Sequence, residues 1–241
     1  ISALLCFLYI LKKFDVLKLK KEDFHFSMST INKLLGLGIP MALQFSITAI
    51  GTIIVQGAIN VYGAVSMAGF SAAGKIQNII CTVFVSFGAT IATYVGQNRG
   101  AGKMDRVRKG VYLTQAMILV TSLIMMVLVH FFGEYLMLIF VKASETEVLK
   151  AAGIYFNTVV WAYPFLGSIF LYRNALQGMG YGLVPMMGGV FELVARAGIV
   201  FLVAGNTSFA GVCMADPAAW IAALIPLIPY YFWIMKKKEN R

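Results

Sequence analysis

The chain has 241 residues, of which 60% are apolar and only 12% charged, and its formal net charge is +10. An ordinary soluble domain carries roughly 25% charged residues, so this composition excludes a water-facing surface over most of the chain. The charge does not indicate nucleic-acid binding either, because the Lys and Arg gather in segments 12–33, 99–109 and 236–241 and at Arg173, between or after apolar runs.

In chain order, residues 1–11 are apolar but cover about half of the roughly 20 residues that a helical crossing needs. They are read as the end of a truncated transmembrane helix. Residues 12–38 form a basic cytoplasmic loop. Residues 39–235 form an all-α, six-helix transmembrane lobe, whose apolar runs open at Ile39, Met67, Val111, Gly153, Val184 and Val212. Pro40 falls in the first turn of the first run, where its missing donor is harmless, and Gly63 turns the chain into the second. That second run, 67–95, is longer than a bilayer needs and carries Lys75, Gln77 and Asn78 in its first part.

Segment 99–109 is basic, whereas 133–150 holds three acids against two Lys. Alternate connections therefore differ in charge, and the positive-inside rule places residues 99–109 and the tail 236–241 in the cytoplasm of a multi-pass inner (plasma) membrane protein. Pro164 is expected to kink the fourth run. Gly178, Gly180 and Gly182 make a tight turn, residues 206–211 another, and Asp216 with Pro217 reads as an N-cap and first-turn proline. Tyr94, Tyr112, Tyr172, Tyr181, Tyr230, Tyr231 and Trp233 fall near one boundary, as an interfacial aromatic belt requires.

Enzymatic chemistry has no foothold. Lys75 and Lys103 follow glycines but lack the Ser or Thr of a phosphate-binding loop. His25 and His130 are isolated, and Cys6, Cys81 and Cys213 are an odd, scattered set that suggests neither disulfides nor a metal site. The informative residues are polar groups within the spans, because such groups are costly in hydrocarbon and turn toward partners or water. Gln44, Thr48, Gln56 and Asn60 recur at helical spacing, as a cavity-facing stripe or as interhelical glue. Lys75, Gln77 and Asn78 line an outward cleft or lie at headgroup level. Asn157, Trp161 and Tyr163 precede Pro164 and offer amide and aromatic contacts to a flat cation, or pack in the core. Glu192 and Arg196, four apart with the acid first, form a buried charge pair that is either structural or used in substrate or ion handling.

The strings GIPMALQ at 38–44, ATYVGQNRGAGKMDRVRKG at 92–110, RNALQGMG at 173–180, FELVARAG at 191–198 and ADPAAWIAA at 215–223 occur in the order found in MATE (multidrug and toxic compound extrusion) transporters. The chain resembles the carboxyl-terminal lobe of that family over nearly its whole length. The resemblance implies half of a twelve-helix transporter that exports organic cations in exchange for protons or sodium, with membrane lipids and an amino-terminal lobe of the same polypeptide as partners. No cofactor is expected beyond the coupling ion, and the residues themselves indicate no metal site. Where one branch of the family places a cation-binding acid in the first helix of this lobe, Thr48 stands here, and 153–172 contains no acid. Coupling is therefore expected to rest on the amino-terminal lobe, with Glu192 the one deep carboxylate of this half. A lipid-linked saccharide flippase of the same superfamily would want a more basic cavity than Lys75 and Arg196 provide. A non-transporting membrane scaffold would need neither polar stripe nor mid-helix Glu.

Overall fold

A computed structural model describes residues 2–14, 27–203 and 208–239. His25 and the start of the turn expected at 206–211 lie outside these residues. Among the described residues the secondary structure is helical: α1 Ser2–Lys13, α2 Met28–Asn60, α3 Gly63–Gly100, α4 Met104–Met137, α5 Thr146–Val159, a 3-10 turn Val160–Ala162, α6 Tyr163–Gly178, α7 Leu183–Val203, α8 Phe209–Cys213 and α9 Ala215–Glu239. Among the described residues six stretches are long and apolar enough to cross a membrane: α2, α3, α4, Thr146–Gly178, α7 and Phe209–Lys237.

The chain divides into two compact units, residues 1–35 and 36–241. The first contains α1, which ends on Lys12 and Lys13, and the opening turns of α2, where Ser27 Oγ accepts from Thr30 N at 3.4 Å. The loop expected over 12–38 is therefore shorter than its charge suggested, because α2 begins at Met28. Pro40 consequently lies inside α2, where it removes the hydrogen bond to the carbonyl of Gly36.

The second unit is built around α3 and α6. The main core joins Ile76, Ile80, Phe84 and Ile91 of α3 to Val111 and Ile118 of α4, Tyr155 and Phe156 of α5, Leu166 to Leu176 of α6, and Trp220 to Ile234 of α9. A smaller cluster of Val55, Ile59, Val212 and Ala215 ties the end of α2 to α8 and α9. Helix α4 turns Leu113, Val120, Leu123 and Phe131 outward, a face suited to lipid. At 1.5 Å per residue, the 38 residues of α3 extend about 57 Å, beyond the roughly 30 Å hydrocarbon layer.

Three local expectations change. The fourth span breaks before Pro164, not at it. The ring would collide with the carbonyl of residue 160, and the chain answers with the 3-10 turn, leaving Pro164 in the first turn of α6. Asp216 sits in the first turn of α9, inside the helix that starts at Ala215, and so is not its N-cap. Tyr172 and Tyr231 are buried at 7% and 1% exposure and pack on each other with ring centroids 5.4 Å apart, so they belong to the core and not to an interfacial belt. Gly63 and Gly180 turn the chain as expected, at φ of +85° and +77°, a region that L side chains rarely enter, whereas Gly178 ends α6 and residues 209–211 of the turn expected at 206–211 open α8.

Candidate functional site: a polar face and a buried charge chain

The polar residues of α2 do not share one face. Four-residue steps advance about 40° around a helix of 3.6 residues per turn, so a stripe begun at Gln44 has rotated well away by Asn60. Gln44 is buried and accepts a hydrogen bond from Gln177 Nε2 of α6 at 3.2 Å. Thr48 Oγ1 is buried and makes no hydrogen bond among the described residues. The backbone of α7 covers both, because a Cβ at Gly189 would lie 3.2 Å from Gln44 Cγ and 3.4 Å from Thr48 Oγ1. Gln56 is half-buried and Asn60 exposed; they bond each other, Nε2 to Oδ1, at 3.4 Å.

The α3 group separates as well, since near-consecutive residues point in different directions on a helix. Lys75 is exposed, with Nζ 5.1 Å from the ring centroid of Phe140. It borders a cavity of about 340 Å³ shared with Ser71, Lys142 and Glu145. Gln77 is buried; its Oε1 accepts from Tyr163 OH at 3.0 Å and its Nε2 donates to Cys81 Sγ at 3.6 Å. Asn78 is exposed and opens a line that sequence reasoning missed: Thr82, Ser86 and Thr90 follow at four-residue spacing, with Thr93 beyond, all exposed. Each hydroxyl donates to the carbonyl four residues back, at 2.9 Å for the first three and 3.1 Å for Thr93. Ser86 and Thr90 open on a cavity of about 470 Å³ between α3 and α4, with Phe87, Thr114 and Met117. The spacing was visible in the sequence. Hydroxyls that satisfy themselves in this way leave no polarity strong enough to stand out in an apolar run.

Asn157, Trp161 and Tyr163 do not converge. Asn157 is exposed and lines a cavity of about 270 Å³ with His130, Glu134 and Phe156. Trp161 packs edge-on to Phe165 with ring centroids 6.3 Å apart. Tyr163 is wholly buried on Gln77.

The charges, by contrast, are gathered beyond the expected pair. Glu192 and Arg196 meet, Oε2 to Nη1 at 3.3 Å. Arg173 of α6 holds the other oxygen of Glu192 through Nη2. Arg196 Nε reaches Asp216 Oδ1 of α9 at 3.2 Å, and Tyr155 OH of α5 donates to Asp216 Oδ2 at 3.1 Å. The side chains of Arg173, Glu192, Arg196 and Asp216 are 11%, 4%, 5% and 16% exposed. Two cations thus alternate with two anions in an electroneutral chain across α6, α7 and α9. Helix α2 closes over it, because a Cβ at Gly51 would stand 3.3 Å from Arg196 Cδ. Glu192 is therefore not the lone deep carboxylate of this half, and Arg173, which the sequence sets at the end of an apolar run, and Asp216, read as a cap, are members of the same network. Their signal in the sequence was a charge inside or beside an apolar run. What joins them is tertiary.

Among the described residues no group of three or more His, Cys, Asp or Glu is placed to hold a metal ion. A family model described as MatE matches residues 40–202, a segment that contains the polar line of α3 and three of the four buried charges. The chain belongs to the MatE family. It is 23% identical over 213 residues to "Probable multidrug resistance protein YoeA" of Bacillus subtilis, covering 86% of this chain and 45% of that protein. It is 28% identical over 147 residues to "Probable multidrug resistance protein YpnP" of the same organism, covering 61% and 33%. The fold matches a crystal structure of MATE in complex with MaL6 with a TM-score of 0.89 at 14% identity, over 100% of this chain and 54% of that one. The chain spans about half the length of that transporter and less than half of the curated relatives.

Proposed function

We propose that this chain is the carboxyl-terminal lobe of a proton- or sodium-coupled efflux antiporter for organic cations. The observation that carries the reading is the family match across residues 40–202. The exposed line Asn78, Thr82, Ser86, Thr90 on α3, with Gln56 and Asn60 on α2, supports a polar wall for a substrate path, since exposed polar groups in a membrane protein mark cavities and partner surfaces. The buried acids Glu192 and Asp216 are each held by arginine and so are engaged in a closed charge chain, and we assign the coupling acid to an amino-terminal lobe of the same polypeptide. The activity has no enzymatic step and needs no cofactor.

In reconstituted vesicles the full-length protein is expected to export ethidium when a proton or sodium gradient is imposed, with the rate falling to that of protein-free vesicles when the gradient is collapsed by an ionophore. Equal transport without either gradient, or a requirement for ATP, overturns the antiporter.

Orientation is tested separately. We place the carboxyl terminus in the cytoplasm, on the charge asymmetry of the connections. In a cysteine-free background, Glu145→Cys is expected to react with a membrane-impermeant maleimide in whole cells, whereas Ser27→Cys, Arg106→Cys and Lys238→Cys react only after lysis. Labelling of Arg106→Cys in intact cells reverses the topology.

A further inference from the structure

At the end of the lobe where α3 finishes, α6 turns into α7 and α9 finishes, five side chains from three parts of the chain form a continuous row. The guanidinium carbon of Arg99 lies 5.5 Å from the ring centroid of Tyr181. Tyr181 meets Tyr230 edge-on at 5.8 Å, Tyr230 stacks with Trp233 at 5.4 Å and 28°, and Lys237 Nζ stands 5.0 Å from the Trp233 ring. The order is cation, three rings, cation. The turn is shaped to admit it: a Cβ at Gly180 would fall 2.9 Å from Arg99 Nη1.

Arg99, Tyr181 and Tyr230 are half-buried, whereas Trp233 and Lys237 are exposed, so the row has a fixed floor and an open side. Neither Arg99 nor Lys237 makes an ion pair among the described residues. The described carboxylate on the α3–α4 side of this end, Asp105, is paired with Arg108 at 3.5 Å. Amphipathic rings settle at the headgroup level of a bilayer, and uncompensated cations at that level attract anionic lipid. A guanidinium laid over a ring keeps its in-plane donors free for phosphate oxygens. The cations flanking the rings repel a choline headgroup, which disfavours a zwitterionic occupant.

We propose that Arg99, Tyr181, Tyr230, Trp233 and Lys237 form a binding site for the headgroup of an anionic glycerophospholipid. Arg99 takes the phosphate oxygens, Tyr230 and Trp233 seat the glycerol and the first acyl methylenes, and Lys237, at the far end of the row, adds to the positive field that draws the anion. The site gives Arg99, the cation of the GQNRGAG segment, a task that the export reading leaves open, and it holds the ends of α3 and α9 at the membrane surface whatever the lobe transports.

The test is lipid titration of the purified full-length protein followed by native mass spectrometry, with dioctanoyl-phosphatidylglycerol, dioctanoyl-phosphatidylcholine and soluble glycerol 3-phosphate as probes. Saturable binding of the phosphatidylglycerol alone is expected. Each surface cation is worth about fivefold in anionic-lipid affinity, so Arg99→Gln/Lys237→Gln should bind roughly 30-fold more weakly and the exposed single variant Lys237→Gln roughly fivefold. Arg99→Lys keeps the charge but loses the planar donors laid over Tyr181, so it should weaken binding less than Arg99→Gln does, and Lys142→Gln/Lys150→Gln, at the other end of the lobe, should keep all of the affinity. Equal weakening by the distant pair, unchanged binding in Arg99→Gln/Lys237→Gln, or equal binding of phosphatidylcholine or glycerol 3-phosphate overturns the site.

Discussion

Glu192→Gln is expected to be the most damaging single neutralisation in the lobe. The carboxylate of Glu192 is shared by Arg173 and Arg196, so its loss leaves Arg173 without its carboxylate and Arg196 with Asp216 alone. Breaking a buried pair by removing one partner costs about 3–5 kcal/mol, enough to lower the thermal midpoint and the folded yield of a purified membrane protein sharply. The connectivity then ranks the double variants. Arg173→Gln/Glu192→Gln removes one cation and one anion from the end of the chain and leaves Arg196 closed on Asp216, so it should recover much of the loss. Glu192→Gln/Arg196→Gln removes the middle and strands Arg173 and Asp216 apart, so it should recover little. An isolated Glu192–Arg196 pair makes the opposite prediction. Thermal unfolding of the three variants and the parent protein in one detergent decides between them, and better recovery by Glu192→Gln/Arg196→Gln would falsify the four-member chain.

Gly178→Ala should be the second large effect, from one added methyl. A Cβ at Gly178 would stand 2.5 Å from the carbonyl oxygen of Ala92 and 3.1 Å from its Cα. Both are backbone atoms of α3, so relief requires the helix itself to move. Small residues allow this kind of close helix approach, and overpacking costs about 1–3 kcal/mol. Gly69→Ala should behave similarly, because its Cβ would meet Val148 O at 2.8 Å and Ala152 N at 2.9 Å. Gly153→Ala is the control. Nothing lies within 4 Å of its Cβ position on α5, and a helical Gly→Ala change without a clash stabilises by roughly 0.5–1 kcal/mol. The three variants are compared by the fraction remaining monodisperse after a heat step. Equal survival of Gly178→Ala and Gly153→Ala would mean that α3 and α6 are not packed backbone to backbone.

Local stretches of sequence alone determined the six spans, the turns at Gly63 and Gly180 and the Glu192–Arg196 contact, because each is a local property: hydropathy over a window, a backbone angle, a four-residue step on one helix. They did not determine which face of each helix meets protein. In a soluble bundle the buried face is the apolar one, and a helix announces it by amphipathic period. Here lipid and core are both apolar, so Leu123 on the outside and Ile118 on the inside of α4 look alike in sequence. Only the packing of α7 over α2 hid Gln44 and Thr48 while leaving Asn60 open, and only the meeting of α6, α7 and α9 turned a boundary arginine and a first-turn aspartate into the two ends of a buried charge chain. Ion pairing acts over a few ångströms, and residues 173 and 216 are brought within that reach by tertiary structure alone.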